Sequence, residues 1–120
     1  IVDRVWMPGF VDNPWWFVSR SDVFTLSSHW EGHPMVLLEA LSCGVPVVSS
    51  DCPSGPREIL TGLPCAYLAP VRDSRGLSRA IGKALLAGPA NQMPDLGRYK
   101  SSHVSNRYLA VIARITPSVA

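Results

Sequence analysis

The stretch that decides the fold spans residues 27–44 and reads SSHWEGHPMVLLEALSCG. A short apolar run precedes it at residues 23–26, and another follows it at residues 45–48. Short apolar runs bounded by turn residues predict buried strands. Pro34 is well placed to begin a helix between them, since proline lacks the N–H that would be unpaired in the first turn. The stretch therefore predicts a strand–loop–helix–strand unit.

On either side of this unit, the chain predicts further strand–helix units. The predicted strands span residues 4–7, 23–26, 45–49 and 65–68, the predicted helices span residues 14–20, 34–42, 57–61, 74–88 and 103–115, and a looser polar stretch spans residues 90–102. Asn13 and either Asp73 or Ser74 are expected to cap two helices, and Gly44 is expected to end a third in a left-handed conformation. Strands about twenty residues apart with helices between them predict an α/β fold, with a parallel sheet covered on both faces.

Composition narrows the class of protein. The chain has 120 residues, 47% hydrophobic content and a net charge of +2, which suit one folded domain and do not indicate a nucleic acid partner. No apolar run approaches the roughly 20 residues that a membrane span needs, and the first residues do not resemble a signal peptide. Cys43, Cys52 and Cys65 lack metal-like spacing and are expected to be reduced, buried thiols of a cytoplasmic protein. The chain begins without Met inside a segment with predicted structure, which suggests a fragment.

In parallel sheets of this kind, ligands bind beyond the carboxyl ends of the strands. The loops at residues 27–33 and 49–55 both leave such ends, so we expect them to be neighbours. The helix after the first loop is expected to present free N–H groups at Met35, Val36 and Leu37, together with the positive end of its dipole. This helix end predicts an anion site that suits phosphate.

Two glutamates stand eight positions apart, with Glu31 in the loop and Glu39 inside the helix. Glu31 can accept hydrogen bonds from hydroxyls of whatever the phosphate carries, while Gly32 lets the backbone approach closely. Glu39 can accept hydrogen bonds from the two hydroxyls of a ribose-like diol, as acidic residues of dinucleotide-binding folds do. The alternative is a loop acid and a solvated helix acid without a role in binding. The chain has neither Gly-x-Gly-x-x-Gly nor a Walker loop, so dinucleotide and NTPase sites lack their motifs.

Six segments carry a resemblance to a known family: PGFVDNP at residues 8–14, SDVF at 21–24, WEGHP at 30–34, VLLEA at 36–40, CGVPVV at 43–48 and DCPSGPREI at 51–59. Together they closely resemble the C-terminal domain of retaining glycosyltransferases with the GT-B fold, in the large family whose members carry Glu-x7-Glu. The resemblance runs from about residue 5 to residue 86. It implies a Rossmann-like parallel sheet with flanking helices, as in the C-terminal half of such an enzyme without its first strands.

The resemblance implies transfer of a sugar from a UDP- or GDP-linked donor with retention at the anomeric carbon, in polysaccharide or glycolipid synthesis. It implies that Glu31 is the catalytic residue, which positions the donor sugar and stabilises charge, and that Glu39 holds the ribose. The other residues that it implies at the donor are Gly32, Pro34, Met35, Val36, Ser54 and Gly55. Because protein groups and the helix end stabilise the leaving diphosphate, neither a cofactor nor a catalytic metal is expected.

The basic residues with which this family grips the diphosphate, and its N-terminal acceptor domain, would lie upstream of this chain. Residues 1–120 are therefore interpreted as a partial donor-binding domain, which is expected to be inactive alone and to self-associate through exposed apolar faces. A truncated, non-catalytic module with at best weak nucleotide binding stays open as an alternative. A sugar-nucleotide epimerase of the same architecture is a more distant one, because it does not share this motif context.

Several other residues allow two interpretations. Arg57 and Glu58 either line the site or form a helix-surface ion pair, and Trp30 either walls the nucleotide pocket or packs beneath its loop. His29 and His33 lack a third metal ligand nearby, and His33 could influence which sugar binds. Aromatic side chains that suit either a core or an exposed interface are Trp15, Trp16 and Phe17.

The C-terminal segment is basic, with Arg98, Lys100, His103, Arg107 and Arg114. It forms either a solvated helix face or a surface attracted to an anionic membrane that carries a lipid-linked acceptor. The second hypothesis places the protein at the cytoplasmic face of a membrane.

Overall fold

The computed structural model describes residues 2–89 and 94–115, which contain three strands and five α-helices. The strands are β1 (Phe24–Leu26), β2 (Val47–Ser50) and β3 (Ala66–Ala69), and the helices are α1 (Trp15–Val18), α2 (Met35–Ser42), α3 (Pro56–Leu60), α4 (Ser74–Ala87) and α5 (Ser101–Ile115). Two short 3-10 helices span Val2–Arg4 and Gly97–Tyr99.

The strands form one parallel sheet in the order β1-β2-β3. Phe24 of β1 pairs in register with Val47 of β2, and Val47 pairs in turn with Ala66 of β3. Every residue of β2 is buried, which is typical of a central strand in a sheet covered on both faces.

Helices cover the two faces of the sheet. Val47 and Val48 point to opposite faces, because side chains alternate along a strand. Val47 packs in one core cluster with Leu37 of α2 and Ile59 of α3, whereas Val48 packs in a second cluster with Ala80 of α4. The predicted α/β fold, a Rossmann-like parallel sheet with flanking helices, is confirmed.

The strand predicted at residues 4–7 is wrong. A 3-10 helix ends at Arg4, and the residues after it have no regular structure. Trp6 and Met7 are 67% and 87% exposed, so the described part of the chain gives this segment no buried position beside the sheet. Without a neighbouring strand, an extended conformation gains no ladder hydrogen bonds. Trp6 instead contacts Phe17, with 5.2 Å between ring centroids.

An exposed aromatic cluster lies on α1. Trp16 and Phe17 meet edge to face with 5.0 Å between ring centroids, and the guanidinium carbon of Arg20 lies 4.4 Å from the centre of the Trp16 ring. Neither these rings nor Trp15 are buried. Of the two interpretations of these aromatics, the structure supports an exposed surface and not a core.

Two local signals at helix ends are confirmed. Asp73 caps α4, since its carboxylate accepts a 2.8 Å hydrogen bond from the Gly76 N–H. Gly44 follows α2 with a φ of 76°, the left-handed conformation that glycine adopts without strain.

The starts of α1 and α2 differ from the prediction. Asn13 does not cap α1, because Pro14 is the capping residue and makes no side-chain cap hydrogen bond. Pro34 precedes α2 and is not its first residue, since a ψ of 89° takes it out of the helical region. The bounds of the other predicted elements shift by at most two residues. The loop predicted at residues 90–102 lies partly outside the described residues and otherwise contains a 3-10 helix and the start of α5.

Candidate functional site

Three loops leave the carboxyl ends of the strands at one edge of the sheet. We name them the β1 loop (residues 27–34), the β2 loop (residues 51–55) and the β3 loop (residues 70–73). Because the strands are parallel and adjacent, the loops converge at the edge where ligands bind in open α/β sheets. This convergence is the candidate site.

Side-chain hydrogen bonds join the β1 and β2 regions. The Ser54 hydroxyl donates to the backbone carbonyl of Glu31 at 2.6 Å, and the Cys52 thiol donates to the carbonyl of Ser28 at 3.0 Å. The hydroxyl of Ser50, at the end of β2, also donates to the Ser28 carbonyl. The prediction that these two loops are neighbours is confirmed.

Gly55 allows the two loops to approach each other. Its φ of +87° is one that residues other than glycine rarely adopt. A Cβ atom added to Gly55 would lie 2.5 Å from the Gly32 carbonyl oxygen and 2.6 Å from Cδ of Pro34. A Cβ added to Gly32 would meet nothing within 4 Å. The fold therefore requires glycine at residue 55 but leaves open space at residue 32.

The amino end of α2 follows directly on the β1 loop. The N–H groups of Met35 and Val36 have no acceptor among the described residues, and both side chains are exposed. The Leu37 N–H donates to the Pro34 carbonyl at 3.1 Å, so two of the three N–H groups that the sequence predicted to be free remain so. No side chain caps this end of the helix. The end is therefore available to an anion.

Glu31 and Glu39 are both partly exposed, in the β1 loop and in α2 respectively. Within residues 2–89 and 94–115, neither carboxylate has a hydrogen-bond donor or a cation as partner. Their carboxylates can therefore accept hydrogen bonds from a ligand without first breaking bonds within the protein.

Arg57 forms an ion pair with Asp51 and not with its helix neighbour Glu58. Its Nε lies 3.0 Å from Oδ1 of Asp51, and its Nη2 contacts the other carboxylate oxygen. The hydrogen bond to Asp51, and then the attraction between the two charges, raise the pKa of Arg57. The pair holds the start of α3 against the β2 loop. Sequence reasoning missed Asp51, whose position at the end of a strand was the available signal.

A cavity of about 190 Å³ opens beside the β3 loop. It is lined by Ser27, His29, Ser50, Pro70, Arg72, Asp73, Ser74 and Leu77. Arg72 has a φ of 63°, in the left-handed region, and its side chain makes no hydrogen bond or ion pair with the described residues. The predicted site included the loops after β1 and β2 but not the loop after β3. The position of Arg72 after the third strand could have identified it.

Trp30 and His33, both in the β1 loop, differ in their surroundings. Trp30 is 77% exposed, so it does not pack beneath its loop. The His33 ring contacts the Tyr99 ring in a tilted arrangement, with 5.9 Å between ring centroids, which ties the β1 loop to the 3-10 helix that contains Tyr99. Across the described ranges, no three His, Cys, Asp or Glu side chains come together as metal ligands. None of the described helices is long and apolar enough to cross a bilayer.

Comparison with known proteins identifies a family that covers most of the chain. The sequence profile of the family described as "Glycosyl transferases group 1" matches residues 1–101. The match includes all three strands and all three loops of the candidate site.

Individual relatives are named as glycosyltransferases. The chain is 44% identical over 64 residues to a lipopolysaccharide 1,6-galactosyltransferase of Escherichia coli, which is 50% of this chain and 18% of that enzyme. It is 31% identical over 108 residues to an N,N'-diacetylbacillosaminyl-diphospho-undecaprenol alpha-1,3-N-acetylgalactosaminyltransferase of Campylobacter jejuni, which is 85% of this chain and 28% of that enzyme. An uncharacterized glycosyltransferase of Methanocaldococcus jannaschii is 48% identical over 58 residues, 48% of this chain and 14% of the relative. The chain therefore spans less than a third of the length of these relatives.

Proposed function

Because the chain belongs to the group 1 glycosyl transferases, we propose that it is the donor-binding part of an enzyme that transfers a sugar from a UDP- or GDP-linked donor with retention at the anomeric carbon. One observation carries this proposal. Two carboxylates without partners, Glu31 and Glu39, stand in the chain on either side of the free N–H groups of Met35 and Val36. A nucleotide sugar offers hydroxyls at both ends and a diphosphate between them.

Each part of the donor has a partner of matching chemistry in this proposal. The N–H groups of Met35 and Val36, with the positive end of the α2 dipole, bind the diphosphate. Glu39 accepts hydrogen bonds from the two ribose hydroxyls, and Glu31 accepts them from the donor sugar. The open space at Gly32 lets the sugar and diphosphate approach the β1 loop backbone.

The transfer step breaks the bond between the anomeric carbon and the diphosphate oxygen and forms a bond from that carbon to the oxygen of an acceptor hydroxyl, whose proton passes to the leaving diphosphate. Negative charge grows on the leaving oxygen, where N–H groups at the start of α2 stabilise it. Positive charge grows on the sugar ring, where the Glu31 carboxylate stabilises it. Since Glu39 is assigned to the ribose, the two acids do not form the pair of hydrolytic carboxylates that flanks a single glycosidic bond. The donor's nucleotide diphosphate and the glycosylated acceptor leave as products.

The acceptor and the cellular site follow from the relatives by analogy. One relative is named for a diphospho-undecaprenol acceptor and another for lipopolysaccharide. We propose a lipid-linked or glycan acceptor, held by an N-terminal domain of a longer protein, and synthesis at the cytoplasmic face of a membrane. Ser54 and Gly55 contribute by fixing the β1 loop, and Pro34 by ending that loop at α2.

A second candidate function, nucleotide binding without transfer, is favoured by the state of Arg57. Its guanidinium is already held by Asp51, so it does not offer a free charge to a diphosphate. A chain with this function would bind UDP or GDP weakly and would bind a nucleotide sugar no differently from the nucleotide alone.

Titration calorimetry with UDP, GDP, UDP-galactose and UDP-N-acetylgalactosamine tests the proposal. Glu39→Ala should weaken binding of the preferred nucleotide and its sugar by about tenfold or more, because hydrogen bonds to a charged group contribute about 1.5–3 kcal/mol. Glu31→Ala should weaken only the sugar-bearing ligand. Glu58→Ala removes an exposed acid from α3 and is the matched control. Absence of nucleotide binding, or an unchanged affinity in Glu39→Ala, contradicts the donor site.

A further inference from the structure

A short segment that follows α4 in the chain packs against α3 and the β1 loop. It comprises the 3-10 helix Gly97–Tyr99 and the residue before it, and we call residues 96–99 the 3-10 segment. The side chains of Leu96 and Tyr99 pack against the core cluster that α2 and α3 share. The 3-10 segment is therefore part of the folded domain, on the side of the sheet that α2 and α3 cover.

Arg98 joins the 3-10 segment to the carboxyl end of α3. Its Nη2 donates to the backbone carbonyls of Glu58 and Ile59, at 3.1 Å and 3.4 Å. These carbonyls lie in the last turn of α3, where helical carbonyls lack partners within the helix. The guanidinium carbon of Arg98 also lies 4.8 Å from the centre of the Tyr99 ring. The position of that ring is therefore fixed both by the core cluster and by Arg98.

The Tyr99 ring contacts the β1 loop through His33. The two ring centroids are 5.9 Å apart and the ring planes are tilted by 42°, which is an attractive arrangement for aromatic pairs. His33 stands in the chain between Gly32 and Pro34, which both lie close to Gly55 of the β2 loop. The β2 loop thus holds this turn at its first and last residues, while the 3-10 segment holds the side chain between them.

The turn lies where the proposed donor approaches the β1 loop. It separates the Glu31 carboxylate, assigned to the donor sugar, from the N–H groups of Met35 and Val36, assigned to the diphosphate. A shift of the turn would move the acid relative to the start of α2, and productive binding tolerates only small displacements of this kind. We propose that Tyr99 is a positioning residue of the donor site, which holds His33 and thereby keeps the turn in the form that accepts the sugar and diphosphate.

The competing role for Tyr99 is to stabilise the core alone. Its ring is half-buried against the core cluster, so its removal lowers stability in either case. Leu96 packs against the same cluster from the same segment, but it has no ring to place against His33. Leu96→Ala is therefore the matched control. The effect on ligands rests on the proposed function, whereas the order of the turn can be measured without a ligand.

The first measurement uses the 120-residue chain without ligand. Backbone order parameters from nuclear magnetic relaxation are about 0.85 for rigid backbone and below about 0.6 for flexible backbone. Gly32 and His33 should be rigid in the parent and flexible in Tyr99→Leu, which keeps an apolar side chain against the core but removes the ring. Tyr99→Phe should keep the parental values, because it loses only the 3.5 Å hydrogen bond from the hydroxyl to the Glu58 carbonyl.

The control separates positioning from stability. Leu96→Ala should lower the free energy of unfolding in urea, because it removes packing from the same core cluster. It should nevertheless leave the order parameters of Gly32 and His33 at their parental values. Equal loss of order in Leu96→Ala and Tyr99→Leu would show that Tyr99 acts only through packing and would overturn the proposal. A turn that is flexible in the parent, or equally rigid in Tyr99→Leu, would overturn it as well.

The second measurement is a double-mutant cycle on the affinity for the preferred nucleotide sugar, by calorimetry. Tyr99→Leu and His33→Ala should each weaken binding about threefold to tenfold, which is within the range of coupling between residues in contact. The double variant should bind no more weakly than the weaker single variant, because both changes remove the same contact. Losses that multiply would show that the two rings act separately and would overturn the proposal. If the parent binds no nucleotide, the proposed function fails, while the order parameters still decide whether Tyr99 positions the turn.

Discussion

The Ser54 hydroxyl donates a 2.6 Å hydrogen bond to the backbone carbonyl of Glu31. The bond joins the β2 loop to the β1 loop and uses only the main chain of Glu31. The Glu31 carboxylate therefore stays free while the backbone that carries it is fixed. A serine in one loop thus positions an acid that lies 23 residues earlier in the chain.

The first prediction concerns this bond. Ser54→Ala should weaken binding of the nucleotide sugar about threefold to tenfold, since a net hydrogen bond contributes about 0.5–1.5 kcal/mol and the β1 loop loses its anchor. UDP alone should bind as before, because Glu39 and the start of α2 are unchanged. Calorimetry with both ligands measures the difference. Ser21→Ala removes a similar bond, 2.7 Å to the Val18 carbonyl, away from the site. Equal losses for both ligands would mean that Ser54 supports the whole site and not the sugar end.

The second prediction concerns the contact between the two loops. Gly55→Ala should lower the free energy of unfolding by more than about 2 kcal/mol, because it combines backbone strain with a Cβ placed 2.5 Å from the Gly32 carbonyl oxygen. Gly62 has a φ of +82° and no atom within 4 Å of an added Cβ, so Gly62→Ala has strain without the clash. Urea denaturation of both variants isolates the effect of the contact. Equal destabilisation would show that the loops can separate without cost.

The parts of the fold that rest on local signals could be predicted from the sequence. The apolar runs gave three strands, Asp73 marked the start of α4, and Gly44 marked the end of α2. The neighbouring positions of the β1 and β2 loops followed from the rule that parallel strands end at one edge. These inferences need only periodicity, capping chemistry and topology.

Other parts depend on tertiary contacts that no local pattern encodes. Residues 4–7 have an apolar pattern suited to a strand, but a strand needs a neighbour, and Trp6 packs on Phe17. The pairing of Arg57 with Asp51, six positions earlier, depends on the turn between them. Arg72 was missed because the loop after the third strand was not considered, and its place beside the cavity depends on how the fold brings the three loops together.

The third prediction concerns pH and the core. Burial raises the pKa of the Cys65 thiol above its ordinary value of 9.0, because the thiolate loses its hydration. The folded state therefore holds the thiol proton more tightly than the unfolded chain does. The resulting stability is fully present below the unfolded pKa and is lost as pH rises through the folded pKa.

The free energy of unfolding of the parent should therefore fall as pH rises above 9.0, the ordinary pKa of the thiol, and Cys65→Ala should flatten this fall. Urea denaturation across the range measures both slopes. Ile59→Val is the control, since it weakens the same buried cluster without a titratable group and should keep the parental slope. A parental slope in Cys65→Ala would show that other groups produce the dependence.

The last prediction concerns Arg72 and is tested by two measurements, the free energy of unfolding and the affinity for UDP. A φ of 63° is strained for any residue other than glycine. Arg72→Gly should therefore raise the free energy of unfolding by up to about 1 kcal/mol. Arg75→Gly, in the first turn of α4, should instead lower it by about 0.5–1 kcal/mol, because glycine weakens helices. If the strain at Arg72 persists because its guanidinium faces the ligand from the cavity beside the β3 loop, Arg72→Gly should also bind UDP less tightly. A variant that is more stable and binds UDP as well as the parent would show that Arg72 does not contact the nucleotide.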